Sequence, residues 1–337
     1  YINRVFITDK CDALIPSYLR FIKGLVDTQD IDLNVSREML QNNPAVAKIS
    51  KSLVGKILRE LKKVSEKNAD GYKSFWKEYG AVLKEGLYED AERKEALLDL
   101  CRFSTNENDD PISLSEYVEK MPEKQKDIYY ISAETKDQAL ASPHLEGFKS
   151  KKIPVLIMTD AIDQFWLPMV GSFKEKKFTS ITQGQINLDD LDEKNKDKKK
   201  DDKNEKEKKD KEYVDLVAQL KVVLGDQVKD IRLSSKLTDS PVCLVADEGD
   251  MDIAMEQLMA QRDTNYKGAP RILEINGDHS LIKNMKSLLS KKENNDLVSD
   301  AGTLLFEQAR LMEGKMPADP AQFSKIMNQF LLKAIPN

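Results

Sequence analysis

The chain is poor in the residues that most catalytic and metal chemistry uses. It has two histidines, His144 and His279, far apart in sequence. That leaves few parts for a histidine metal site or a Cys/His catalytic pair. The cysteines number three, Cys11, Cys101 and Cys243, with no Cys-x-x-Cys pair. An odd count in apolar stretches reads as buried free thiols in a reducing cytosol rather than a disulfide framework. No Gly-x-x-x-x-Gly-Lys-Ser/Thr or Gly-x-Gly-x-x-Gly occurs, so neither familiar phosphate-cradling loop is present. No apolar run approaches the roughly 20 residues a bilayer span needs. The start at Tyr1 shows no basic-then-apolar leader and no Met, and is read as that of a fragment.

What is present is charge, and it is nearly balanced. Charged residues make up 33% of the 337 positions, the formal net charge is -5 and the pI is near 5.5. Without a basic footprint, nucleic acid is not an expected partner, and neither is a membrane. The hydrophobic 40% is enough for two or three cores. The sharpest break is 192–212, with 10 Lys, 9 Asp or Glu, 2 Asn and no apolar residue. Such a segment cannot bury enough surface to offset its ordering entropy, and reads as a charged linker or loop.

Either side of it, periodicity sets the elements. Val46, Ile49, Leu53, Ile57, Leu61 and Val64 form a helical stripe, with Pro44 suited to the first turn. Tyr72, Phe75, Trp76, Tyr79 and Val82 form another, and 91–100 is a third helical segment. The stretch 127–132 reads as a strand, 134–140 as a short helix and 154–158 as a buried strand. That order predicts a parallel pair joined by a crossover. Beyond the linker, 213–224 is a helix. The β-rich runs 228–237 and 241–246 suggest a meander across Thr238-Asp239-Ser240. A helix over 250–261, a strand over 271–275 and helices over 279–290, 297–313 and 319–334 complete the pattern. The fold class is multidomain, α/β and α+β.

Several motifs carry a resemblance. Tyr72-Lys-Ser-Phe-Trp-Lys-Glu-Tyr-Gly-Ala-Val-Leu-Lys-Glu-Gly86 and Leu100-Cys-Arg-Phe-Ser104 are similar to the middle domain of the ninety-kilodalton heat-shock chaperones. So are Leu33-Asn-Val-Ser-Arg-Glu-Met-Leu-Gln41, Asp127-Ile-Tyr-Tyr130 and Ser142-Pro-His-Leu-Glu146. Ser235-Lys-Leu-Thr-Asp-Ser-Pro-Val242 and Ile272-Leu-Glu-Ile-Asn-Gly-Asp-His279 resemble that family's last domain. The ending Lys333-Ala-Ile-Pro-Asn337, without Met-Glu-Glu-Val-Asp, points to the bacterial branch. Gly277 stands where the family usually has Pro, which predicts a looser turn.

The resemblance implies five segments. They are a remainder of the large middle subdomain with its catalytic-arginine loop (1–44), a helical middle segment (45–108) and a small αβα subdomain (109–191). The charged linker (192–212) and an α+β C-terminal dimerisation domain (213–337) follow. It implies a cytoplasmic heat-shock chaperone of the stress response that acts in protein folding. Partly unfolded client proteins, a second copy and co-chaperones would be its partners. The parent protein would bind ATP and Mg and hydrolyse ATP. The N-terminal ATPase domain is absent, so this chain alone is expected to hold no cofactor or metal and to be no enzyme. Arg37 would reach the terminal phosphate, supported by Gln41. A guanidinium stays charged and offers several donors there.

Phe165, Trp166, Met251, Met255, Leu258 and Met259 would contact clients, Met being able to repack against varied partners. Ala301, Leu304, Leu305, Gln308, Leu311 and Met312, with Phe323, Ile326, Met327, Phe330, Leu331 and Ala334, would form half of a four-helix dimer interface. A constitutive dimeric protein-binding scaffold without nucleotide chemistry is the alternative.

Overall fold

The computed structural model describes residues 1–32, 40, 42–108, 110–191, 208–263, 266, 268–290 and 292–335. The elements run α1 (Pro44–Lys67), α2 (Ala69–Glu89), α3 (Lys94–Leu100), β1 (Arg102–Thr105), β2 (Ile112–Ser113), α4 (Leu114–Lys120) and β3 (Ile128–Ser132). Next come α5 (Lys136–Leu140), α6 (Glu146–Ser150), β4 (Leu156–Met158), α7 (Asp163–Val170), β5 (Ser172–Phe173) and β6 (Lys176–Ser180). Then follow α8 (Val214–Leu224), β7 (Val228–Leu233), β8 (Val242–Val245), α9 (Ile253–Arg262), β9 (Arg271–Ile275), α10 (Ser280–Leu288), α11 (Asn295–Met312) and α12 (Pro320–Ala334). The mixture of helix and sheet fits the expected class.

The chain forms two compact units. Unit 1 holds 1–104, 108–119 and 160–178; unit 2 holds 105–107, 120–159 and 179–337. This division cuts across the segments read from sequence, because 160–178 folds back onto the earlier helices.

Unit 1 is built on α1 and α2. Asn43 caps α1, its Oδ1 accepting from Ala45 N at 2.8 Å, with Pro44 at the first position. Of the stripe expected on α2 only Tyr72 is buried, with Phe75, Trp76 and Val82 half-buried and Tyr79 exposed; Leu83 and Leu87 are buried in addition. Tyr72 Oη donates to the Leu100 carbonyl at 2.7 Å, joining the two motifs on which the middle-domain resemblance rests. A Cβ at Gly86 would stand 2.8 Å from the Tyr18 ring, so only glycine lets that ring pass. The β5–β6 hairpin turns through Lys174 and Glu175, both at positive φ, 46° and 64°. Glycine and asparagine usually take such positions.

In unit 2, β3 and β4 pair in parallel, Tyr130 opposite Leu156, as the sequence predicts. The expected meander is not formed. The sheet order is β7-β9-β8, with β9 parallel to β7 and antiparallel to β8. All five β9 residues are buried, so this strand takes the centre and separates the two runs that neighbour each other in sequence. Beneath the sheet lies a core of Leu216, Leu220, Leu273, Ile282, Val298 and Phe306, among others.

The charged segment also differs from expectation at one end: 208–212 is helical, with Lys209 and Glu212 paired to Asp278 and Lys286. The remainder of it, 192–207, lies outside the described residues. The turn at Gly277 is not loose. Tyr213 Oη donates to its carbonyl, and a Cβ there would come within 3.2 Å of the Tyr213 ring.

Candidate functional site

The motif residues of unit 2 converge on one polar node. Glu146, from Ser142-Pro-His-Leu-Glu146, accepts the backbone N–H groups of Thr238 and Asp239 at 2.8 Å and of Ser240 at 3.1 Å. Burial raises the Glu146 pKa, but the donors of Ser240, Asp239 and Thr238 outweigh it and leave the carboxyl below its ordinary value. Asn276 Nδ2 donates to the Ser240 carbonyl at 3.1 Å. Glu274 accepts from Arg232 Nη2 at 2.8 Å and Ser234 Oγ at 2.9 Å. Three segments distant in sequence thus satisfy one another's polar groups. The function of this node is to fix the loop between β7 and β8 against α6.

A second node stands in unit 1. Lys84 Nζ donates to Asp163 Oδ1 and Asp160 Oδ2, both at 2.8 Å, and to Asp163 Oδ2 at 3.0 Å. Burial works against the ammonium, yet the two carboxylates hold the Lys84 pKa above its ordinary value. Burial likewise pushes Asp163 up. Trp166 Nε1 donates to the same Asp163 Oδ1 at 2.7 Å, and the Lys84 ammonium lies 4.8 Å from the Phe103 ring centre. Cys101 is buried, and its thiol is pushed up to about 12. It is therefore inert as a nucleophile at neutral pH. Cys243, also buried, is raised further, while Cys11 is half-buried; all three thiols are free. Sequence reading missed the Lys84 node. The available signal was a lysine beside Leu83 and Leu87 on the inward side of an apolar helix.

The expected client-contacting residues divide. Trp166 is 0% exposed, packed on Phe103 and Phe178, and is corrected from a surface contact to a core side chain. Its bond to buried Asp163 explains why it points inward. Phe165 is half-buried, edge-on to the exposed ring of Tyr88. The exposed apolar side chain on α7 is Met169, which the sequence reading passed over. Met251 is 41% exposed but precedes α9 rather than lying on it, since Asp252 is the cap, accepting from Ala254 N at 2.9 Å. Met255, Leu258 and Met259 are half-buried on the helix. Ile253 and Glu256 face inward, Glu256 paired with Arg271, and hold α9 in place.

The expected dimer residues divide too. Ala301 and Leu305 belong to the core of unit 2, and Ile326 is buried; these three are corrected from interface to internal packing. The reason is helix pairing: α11 packs on α8 and α12 within the unit. Leu304, Phe323 and Phe330 are half-buried, while Gln308, Leu311, Met312, Met327, Leu331 and Ala334 are exposed. The exposed strip is wider than the sequence reading had it. It adds Met316, Leu332, which is 76% exposed, and Ile335. For Leu332 and Ile335 the spacing with Met327 and Leu331 was the signal, whereas Met316 lies between α11 and α12.

Arg37 and Gln41 lie outside the described residues. Among the described residues no group of three or more His, Cys, Asp or Glu could hold a metal ion. Among them, too, no helix is long and apolar enough to cross a membrane.

The family described as Hsp90 protein matches residues 1–336. The chain is 44% identical over 337 residues to the chaperone protein HtpG of Roseobacter denitrificans, covering 99% of this chain and 54% of that protein. Its identity to HtpG of Paramagnetospirillum magneticum is 44% over 335 residues, covering 99% and 53%. For HtpG of Streptomyces coelicolor it is 40% over 328 residues, covering 97% and 50%. The chain thus spans about half the length of the curated relatives it matches.

Proposed function

The chain belongs to the Hsp90 protein family, and we propose that it supplies the client-binding and dimerising half of an ATP-dependent chaperone. The observation that carries this reading is that α11, α12 and the segment between them leave Leu311, Met312, Met316, Met327, Leu331, Leu332 and Ile335 exposed. Apolar side chains gathered on one surface are typical of an association site. A second copy would cover the α11–α12 strip. Met251, with half-buried Met255, would offer partly unfolded clients an adaptable surface. The remaining half of the protein would hold ATP and Mg. Arg37 would stabilise the charge that grows on the terminal phosphate, with Gln41 in support and neither acting as a base. Such a chaperone would work in the cytoplasm.

Two measurements test this. Changing Met251 and Met255 to Ser should weaken binding to a reduced, carboxymethylated unfolded protein about tenfold without loss of fold. Unchanged affinity contradicts the assignment. In a protein that includes the other half, Arg37→Ala should cut ATP turnover by about 100-fold with little change in nucleotide affinity. Unchanged turnover would remove Arg37 from the mechanism, and no turnover at all in the unaltered protein would favour a dimeric scaffold over an ATP-driven clamp.

A further inference from the structure

Unit 2 contains a cleft of about 70 Å³ between β3, β8, α9 and α11, with exposed Met312 on its rim. About half of its wall is apolar, through Ile131, Val242, Leu244 and Ala309. Three of its lining residues carry polar atoms without a hydrogen-bond partner: Ser132 Oγ, His144 Nδ1 and both carboxyl oxygens of Glu313. His144 and the Glu313 side chain are each more than nine-tenths buried. Buried polar groups are satisfied in nearly all folded proteins, so four in one cleft call for a partner that enters it.

The chemistry of that partner follows from the lining. The Leu244 backbone accepts from the His144 ring, which leaves Nδ1 as the bare nitrogen. Burial, then the Lys236 ammonium, keeps the imidazole neutral. Nδ1 is therefore an acceptor that needs an N–H or O–H. Lys315 forms an ion pair with Glu313 at 3.4 Å, and burial raises the Glu313 pKa, but neither carboxyl oxygen has a hydrogen-bond partner. Positive charge is already supplied by Lys236, Lys315, Arg271 and Arg310. A further cation would be repelled, and an anion would meet bare acceptors. The volume equals roughly two waters' share of liquid, or one molecule of about four heavy atoms. Two waters would meet the polar atoms but would also wet the apolar walls. A small amide presents carbon to those walls.

We propose that this cleft binds a small neutral primary amide. Its N–H groups donate to His144 Nδ1 and the Glu313 carboxyl, and the Ser132 hydroxyl donates to its carbonyl oxygen. The amide can be free, as in acetamide, or the side chain of an asparagine in a polypeptide.

The test uses the full chain with ¹⁵N-labelled histidine, which gives two ring spin systems, because His144 and His279 are the chain's two histidines. Acetamide is titrated to high millimolar concentration, followed in a separate arm by N-acetyl-asparagine methylamide. A saturable shift at His144 with His279 unmoved is expected. Response to acetamide alone assigns a free ligand; response to both assigns a site that also accepts a side chain. Ser132→Val should weaken the apparent affinity about fivefold by removing one hydrogen bond and filling space. Should that variant fail to fold, the wild-type titration decides alone. No saturable shift, or an equal drift at both histidines, means that the cleft holds water only and overturns the proposal.

Discussion

Lys84 in unit 1 and Lys236 in unit 2 are buried to the same degree, with side chains 4% and 2% exposed, but by different chemistry. Lys84 meets two carboxylates at hydrogen-bond distance. Lys236 donates to a neutral group, the Ile181 carbonyl, at 2.7 Å. Its nearest carboxylate oxygen, on Glu274, is 3.9 Å away and is already engaged by Ser234. Unit 1 therefore confines its charge in a compact cluster of one lysine and two carboxylates, and unit 2 spreads it through a network that also reaches His144. A buried pair breaks badly when one member is lost, since the other is left charged and dry. A shared network loses less per member.

The largest effect should come from Lys84→Met, which strands the buried Asp163. A loss of about 3–5 kcal/mol in the stability of unit 1 is expected by urea denaturation. Trp166 should report it in a Trp76→Phe background as a red-shifted emission. Lys236→Met should cost unit 2 less, about 1–3 kcal/mol, mainly through the unsatisfied Ile181 carbonyl. Equal losses would erase the contrast between the units.

A pH series sharpens the comparison. His144 has its pKa lowered by burial and then by Lys236. Below its ordinary value of 6.5 the unfolded chain takes up a proton that the folded chain refuses. Stability is therefore present above pH 6.5 and falls as the pH drops toward the lowered folded pKa. The slope reaches about 1.4 kcal/mol per pH unit. His144→Gln should remove this slope, and Lys236→Met should narrow its pH range. A wild type and His144→Gln with parallel profiles would show that the imidazole is not buried neutral.

The smallest effect should be a gain. Replacing Lys174 and Glu175 by Asn and Gly relieves two left-handed residues in the β5–β6 turn. About 0.5–1 kcal/mol of added stability in unit 1 is expected from thermal melts.

The elements were largely legible because their signals are local. Pro44 and the stripe after it mark α1, and Asp319 marks the start of α12 as its cap. The parallel β3–β4 pair followed from strand, helix and strand in close succession. The β7–β8 meander was misread because the pairing preference of β9, buried on both faces, acts across some 30 residues and leaves no mark between the two runs. The inward turn of Trp166 was hidden for the same reason: Lys84, Asp163 and Phe103 come together only by folding. For α11, the stripe showed which side is apolar but not what covers it. Ala301 and Leu305 are taken by the chain's own core, and Leu311 and Met312 are left exposed. Arg37 and Gln41 were legible only through the resemblance.

The exposed remainder of that stripe bears most directly on the function proposed. Sedimentation equilibrium of this chain, with and without residues 319–337, measures whether a second copy covers it. A dimer at micromolar concentration that becomes a monomer on deletion is expected. An intact chain that stays monomeric at that concentration would contradict the dimerising role of α11 and α12.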